Sequence, residues 1–257
     1  MTLVWRPGFA YDTDASNYID AVEAADGQAL ETATRYAIND FVLGCKQDGI
    51  WTAIKASCIL SGARTLAGAL VPLAGTAPTN IGGLFISGDY NRKTGLIGNG
   101  VNKALNSNRS RSADPINSFH VSLYLSTAGN SVLFGNALNS QNDQLLAVNA
   151  TTGAFVRGRT VGIDFRVTGF IGASNTASEL TARSAKANLT NTGAVYASFA
   201  DSNPYYVFAR NISDSAPVNG TPCSSRLAFY SIGESLDLAR LDGRVTDLIN
   251  AFAVVIP

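Results

Sequence analysis

One histidine, His120, and three cysteines, Cys45, Cys58 and Cys223, are the side chains through which this chain could run nucleophilic or metal chemistry. A Ser-His-Asp or Cys-His arrangement, or a histidine-bearing metal site, would have to pass through His120. It lies inside the alternating run SFHVSLYLS (118–126), on the polar side with Ser122 and Tyr124. That placement predicts a structural or surface histidine whose hydrogen bonds are satisfied. Three cysteines cannot all pair, and none are in C-x-x-C spacing, so reduced thiols are expected and neither zinc nor redox chemistry. Glu179 and Glu234 stand alone, without the closely spaced strand acids that acid/base glycoside hydrolysis would use. No catalytic residue, cofactor or metal ligand is assigned, and the expectation is a protein that is not an enzyme.

Two other segments could bind rather than react. Gly98-Asn99-Gly100 lacks the full G-x-G-x-x-G or G-x-x-x-x-G-K-[ST] pattern of a phosphate loop and reads as a hairpin turn. Around it, Arg92, Lys93, Lys103, Arg109 and Arg111 give residues 92–111 a basic bias. Such a cluster is either a solvated strand edge or a contact surface for an acidic partner or an anionic glycan. Tyr205, Tyr206 and Phe208 follow Pro204 and could grip a sugar face, but in a strand Tyr205 and Tyr206 point to opposite sides, so at least one belongs to the core.

These residues need a scaffold, and two periodicities supply it. Residues 15–25 predict a short helix capped by Asp14 and stopped at Asp26-Gly27. Leu30, Ala33, Ala37 and Phe41 make one face of a second, over 30–43, with Gly44 as terminator. From about residue 56 the period becomes two, with Gly, Asn, Ser and Pro breaking the chain every eight to twelve residues or so, as in an antiparallel sandwich. Strands are expected at 83–87, 118–126, 132–136, 143–148, 161–167, 194–199 and 205–209. Those at 118–126 and 161–167 are read with one wet face. The run RLAFYSI (226–232) is apolar on both faces, as an interior strand would be, and Leu238, Leu241, Val245, Leu248 and Phe252 stripe a closing amphipathic helix. The two amphipathic helices are expected to meet beside the sandwich and cover a sheet edge or end.

The expected organisation is thus one domain: an N-terminal helical segment (1–55), a β-sandwich (56–236), and a C-terminal helix and tail (237–257). With 257 residues, 46% hydrophobic, the chain can bury a substantial core. Charged residues are 15%, below the roughly 25% usual in soluble domains, and formal net charge is zero. Without an overall positive field, a general nucleic-acid binder is not expected. Residues 1–14 show neither a signal peptide's basic start nor its apolar run, and no stretch reaches membrane-spanning length, so neither Sec export nor membrane insertion is expected.

Four pieces in order, GIWTAI (49–54), TGLIGNG (94–100) with Lys103 behind it, FHVSLY (119–124) and RLAFYSIGESL (226–236) with its helix, resemble tailed-phage virion proteins built on a concanavalin A-like (laminin-G-like) jelly roll. The resemblance covers roughly residues 30–257. It implies a mainly β, noncatalytic structural protein of the virion surface, either a capsid decoration or knob or a part of a tail fibre or baseplate. The protein would be assembled in the host cytoplasm and touch other virion proteins, as a homo-oligomer with a trimer the expected state. It brings no catalytic residues. The alternatives are a receptor-recognition lectin binding host surface glycan and, further off, a glycan-degrading enzyme.

Overall fold

The computed structural model describes residues 10–129, 131–138, 141–148, 153–156, 159–194, 202–212 and 222–257. The strand expected at 194–199 lies outside these apart from Ala194. Among the described residues two sheets form. The first runs, edge to edge, β13 (Ala187–Asn191), β12 (Leu180–Ser184), β11 (Gly169–Asn175), β6 (Phe119–Thr127), β16 (Arg226–Gly233), β4 (Gly95–Ile97) and β3 (Tyr90–Asn91), with β1 (Ile54–Ile59) also paired to β16. The second runs β10 (Arg159–Val161), β9 (Gly153–Val156), β8 (Gln141–Val148), β7 (Ser131–Leu138), β14 (Pro204–Val207), β5 (Lys103–Ser110) and β2 (Thr79–Gly82), with β15 (Arg210–Ile212) joined to β7. Among the described residues every strand pairing is antiparallel except β15 with β7. The fold is an antiparallel β-sandwich with short N-terminal helices and a C-terminal amphipathic helix.

Between the sheets lies one core. Phe119, Val121, Leu123 and Leu125 of β6 share its inner face, as their spacing predicts, and all four are buried with Phe134, Tyr205 and Val207 of the facing sheet. The Tyr205 ring sits 5.4 Å from that of Phe119 and 5.1 Å from that of Phe134.

A second core lies on the other side of the first sheet. Helices α1 (Thr13–Asp26), α2 (Thr32–Gln47) and α4 (Leu238–Val255), with the one-turn α3 (Leu66–Ala69), pack there. Leu241, Val245, Leu248 and Phe252 of α4 meet Ile38, Phe41 and Val42 of α2 over Phe229 of β16, Phe170 of β11 and Ile59 of β1. The Phe41 and Phe229 rings lie 5.8 Å apart, edge to face. The two amphipathic helices do meet, but they cover a sheet face instead of an edge. The expected wet face of β6 is therefore enclosed: His120 and Ser122 are fully buried and Tyr124 is half-buried. The apolar stripes of α2 and α4 are too wide for a sheet edge to cover, whereas a face is wide enough.

Several local expectations change for identifiable reasons. Asp12, not Asp14, caps α1 by accepting from the Asp14 amide, because Asp14 is turned toward Lys46 and Trp51. Gly44 does not end α2, which continues to Gln47; a Cβ there would lie 2.7 Å from the Arg244 side chain, so the glycine is where α4 crosses closely. Arg244 passes over it to bind Asp48 at 2.7 and 3.1 Å. Residues 83–87 are not a strand: β2 stops at Gly82 and Leu84 takes φ +47°. In 161–167 the alternation appears in burial, with Ile163 and Phe165 inside and Asp164 and Arg166 outside, but the ladder stops at Val161. Gly98-Asn99-Gly100 is not a hairpin. It carries the chain from β4 in one sheet to β5 in the other, with Asn99 Oδ1 accepting the amides of Val101, Asn102 and Lys103.

Candidate functional site

His120 heads a closed hydrogen-bond chain. Its Nδ1 lies 2.6 Å from the Glu234 carbonyl oxygen, which can only accept, so Nδ1 carries the proton and Nε2 accepts from Ser231 Oγ at 2.9 Å. Ser122 Oγ in turn donates to Ser231 Oγ at 2.8 Å. The contacts resemble a Ser–His pair, but all three side chains are fully buried between β6, β16 and the helical layer, so no substrate reaches the hydroxyl. Burial lowers the imidazole pKa to about 4, with the Glu234 carbonyl opposing the shift, so the ring is neutral near pH 7. The expected structural histidine is what the geometry shows.

The three thiols are equally enclosed. Burial pushes the Cys45 and Cys58 thiols up to about 12 and Cys223 to about 11, and none forms a disulfide. Glu234 pairs with Lys55 at 3.0 Å. No group of three or more His, Cys, Asp or Glu that could hold a metal ion occurs among the described residues. Tyr205, Tyr206 and Phe208 are all buried, so the whole aromatic cluster, and not one member of it, belongs to the interior.

The basic residues of 92–111 do not form one patch. Arg92 donates to both carboxylate oxygens of Glu31 at 3.1 and 2.8 Å and to the Gly62 and Ala63 carbonyls, tying β3 to the start of α2. This guanidinium holds the Glu31 carboxyl down at about 2. Lys103 pairs with Asp89 and lies 5.9 Å from the Phe85 ring centre; Arg109 pairs with Asp114; Arg111 is buried in the turn after β5. Lys93 is half-exposed in the β3–β4 turn and makes no ion pair among the described residues.

Among the described residues, the surface hollows that carry polar and aromatic groups together include two in which the aromatic residue is a Trp or Tyr, and the sequence pattern singles out neither. In the first, Trp51 Nε1 donates to Asp14 at 3.0 Å, and Lys46 contacts Asp12 and Asp14 at 2.6 Å each. Its polar atoms satisfy one another. The second is a groove of about 310 Å³ where α4 crosses the outer face of the first sheet, lined by Tyr124, Thr168, Phe170, Lys186, Asp242 and Thr246. Tyr124 and Phe170 are cross-strand partners that form its floor. Asp242 accepts from Arg183 Nε at 2.8 Å and Thr246 Oγ1 at 3.0 Å. The Tyr124 hydroxyl has no hydrogen bond, and Lys186 no ion pair, among the described residues; burial, aided by Asp242, raises the phenol's pKa.

The rim of this groove is a two-residue turn between β12 and β13 in which Ala185 and Lys186 take φ +49° and +64°. Such turns favour Asn-Gly, and each side chain forced into the left-handed region costs about 1–2 kcal/mol. Consecutive strained positions beside a polar groove mark a place where geometry has been kept at a cost in stability.

The fold that carries these groups is an antiparallel β-sandwich with a helical layer on one sheet. No protein-family model matches the chain, and no curated protein sequence matches it. Among solved structures it is similar to a Trypanosoma rangeli sialidase in complex with 2,3-difluorosialic acid, at 11% identity over 92% of this chain and 37% of that chain, with a TM-score of 0.50. It is also similar to botulinum neurotoxin type C, whose cell entry is described as dependent upon interaction with two ganglioside molecules, at 10% identity over 78% of this chain and 52% of that chain, with a TM-score of 0.50. The chain spans less than half of the sialidase and about half of the toxin chain. At these identities the likeness is one of fold.

Proposed function

We propose that the protein is a noncatalytic contact module, a structural component of a phage particle surface that works by burying loops against neighbouring copies of itself. The reading is supported by a contrast between interior and surface. The histidine and thiols are sealed inside, while Leu84, Ile86 and Val101 are 50%, 62% and 69% exposed on two adjoining loops. The Gly83 amide donates to the Asn102 carbonyl at 2.9 Å and joins those loops. Three large apolar side chains held outward together fit a surface that is covered in an assembly. Lys93 is the member of the basic set left to add electrostatic complementarity to a partner.

Light scattering on the purified chain tests the contact. The protein is expected to be an oligomer, a trimer on the resemblance to phage virion proteins, and L84S/I86S/V101S is expected to be a folded monomer. A monomeric parent would remove self-assembly, and absence of the protein from the peptides of purified particles would remove the virion role.

Glycan recognition is the second reading, favoured by the groove at Tyr124 and Lys186. The fold is also shared with a sialidase and with a toxin whose cell entry is described as ganglioside-dependent. The likeness contributes only the scaffold; the open hydrogen-bonding groups contribute the case for a ligand.

A further inference from the structure

We infer that the groove between α4 and the β6–β11 face binds an acidic saccharide unit, with Lys186 meeting its carboxylate and Tyr124 and Thr168 meeting its hydroxyls. This rests on the glycan reading and assigns it a site and a ligand class. The volume, about 310 Å³, falls at the lower end of the range for small-molecule sites, about 300–1,000 Å³, and suits one sugar ring better than an extended chain.

Charge selects the class. Arg183 and Asp242 neutralise each other in a nearly buried pair, with side chains 11% and 6% exposed. Lys186, exposed on its turn and lining the groove, is then the net charge there. A single unpaired cation beside neutral hydroxyls favours an anion that is itself rich in hydroxyls. A phosphate would gain little from the aromatic floor of Tyr124 and Phe170, whereas the apolar face of a sugar ring packs on such a surface. Asp242 keeps the Tyr124 edge polar: each of its oxygens accepts one protein hydrogen bond and retains a further lone pair for a ligand hydroxyl.

The groove differs from the Trp51 hollow in the state of its polar atoms. At Trp51 the carboxylates, ammonium and indole N–H are paired with each other, so a ligand would have to break those contacts. At Tyr124 a half-buried hydroxyl and a lysine await partners. A ligand there adds hydrogen bonds without removing any.

The experiment is a titration of the full chain, followed by isotope-edited NMR, with a galacturonic acid trisaccharide as the acidic probe and maltotriose as the neutral one. The acidic probe is expected to bind at least tenfold more tightly than maltotriose, and to weaken as salt is raised. Lys186→Ala is expected to remove that preference, Tyr124→Phe to weaken the acidic probe several-fold with the fold retained, and Trp51→Ala to leave binding unchanged. If the parent binds oligosaccharide on a glycan panel but neither groove variant alters it, this site is wrong and glycan recognition stands. Equal affinity for the two probes overturns the acidic class. A parent that binds no oligosaccharide at all overturns the site and the glycan reading together.

Discussion

Helix α4 comes up close against the chain just beyond β1 at Gly62, and the contact sets a quantitative test. This residue takes φ +86°, and a Cβ there would lie 2.6 Å from Phe252 Cε2, on a ring that is fully buried. Gly62→Ala therefore carries two separable costs: about 1–2 kcal/mol for a side chain in left-handed backbone, and about 1–3 kcal/mol for overpacking against the ring. Phe252→Ala alone loses a buried aromatic, worth about 3–5 kcal/mol. In the double variant the ring that obstructs the added methyl group is gone, so only the backbone cost of Gly62→Ala should remain. The cycle should then show a favourable coupling of about 1–3 kcal/mol. Urea unfolding followed by far-UV circular dichroism measures it, provided the slope with denaturant stays constant across the four proteins. Should the double variant be unfolded, Phe252→Leu replaces Phe252→Ala in the same cycle. Strict additivity, or a Gly62→Ala protein as stable as the parent, would refute the packing account.

Three further outcomes follow from the titratable groups. Because the folded pKa of His120, about 4, lies below its unfolded value near 6.5, the unfolded chain binds more protons in that window, so stability should fall as pH drops from about 6.5 to about 4. The difference is worth up to ~3 kcal/mol. His120→Gln should be less stable at pH 7 and lack that slope in melts across the window; parallel slopes would count against it. Glu31, held at about 2 by Arg92, should produce a separate loss as pH falls from about 4.5 toward 2; Arg92→Ala should abolish that step and high salt should shrink it, both readable in acid titrations of fluorescence. Cys45, Cys58 and Cys223 should resist a thiol reagent at pH 8 and all react once denatured, so rapid labelling of the native chain would contradict their enclosure.

Much of this architecture is legible from periodicity. Phe119, Val121, Leu123 and Leu125 announce a strand and its inward face, and the stripe from Leu238 to Phe252 announces a helix that must be covered. The location of the cover is harder to read. His120 and Ser122 look like a wet face because they are polar, but three polar side chains that satisfy one another can be buried as a unit. The two-sided apolarity of Leu227, Ala228, Phe229 and Tyr230 held the correct information, since a strand with no polar face belongs to a sheet covered on both sides. Gly44 shows the same ambiguity on a helix: the sequence cannot distinguish a glycine that stops the chain from one that admits a neighbour such as Arg244. The groove was not legible because Tyr124, Lys186 and Asp242 come from three distant segments, joined only when α4 lies across the sheet.

The place of β16 has a consequence for how the chain is made. This strand lies inside the first sheet, hydrogen-bonded to β6, β4 and β1, with Ile54 opposite Gly233. At a ribosome adding about 5–20 residues each second, β1 waits roughly 10–40 s for its partner. Through that interval β1, and later β6 once it is made, present open backbone edges to chaperones and to other nascent chains. The pace of synthesis and the crowding of unfinished chains should therefore set the soluble yield of this protein more strongly than its final stability does.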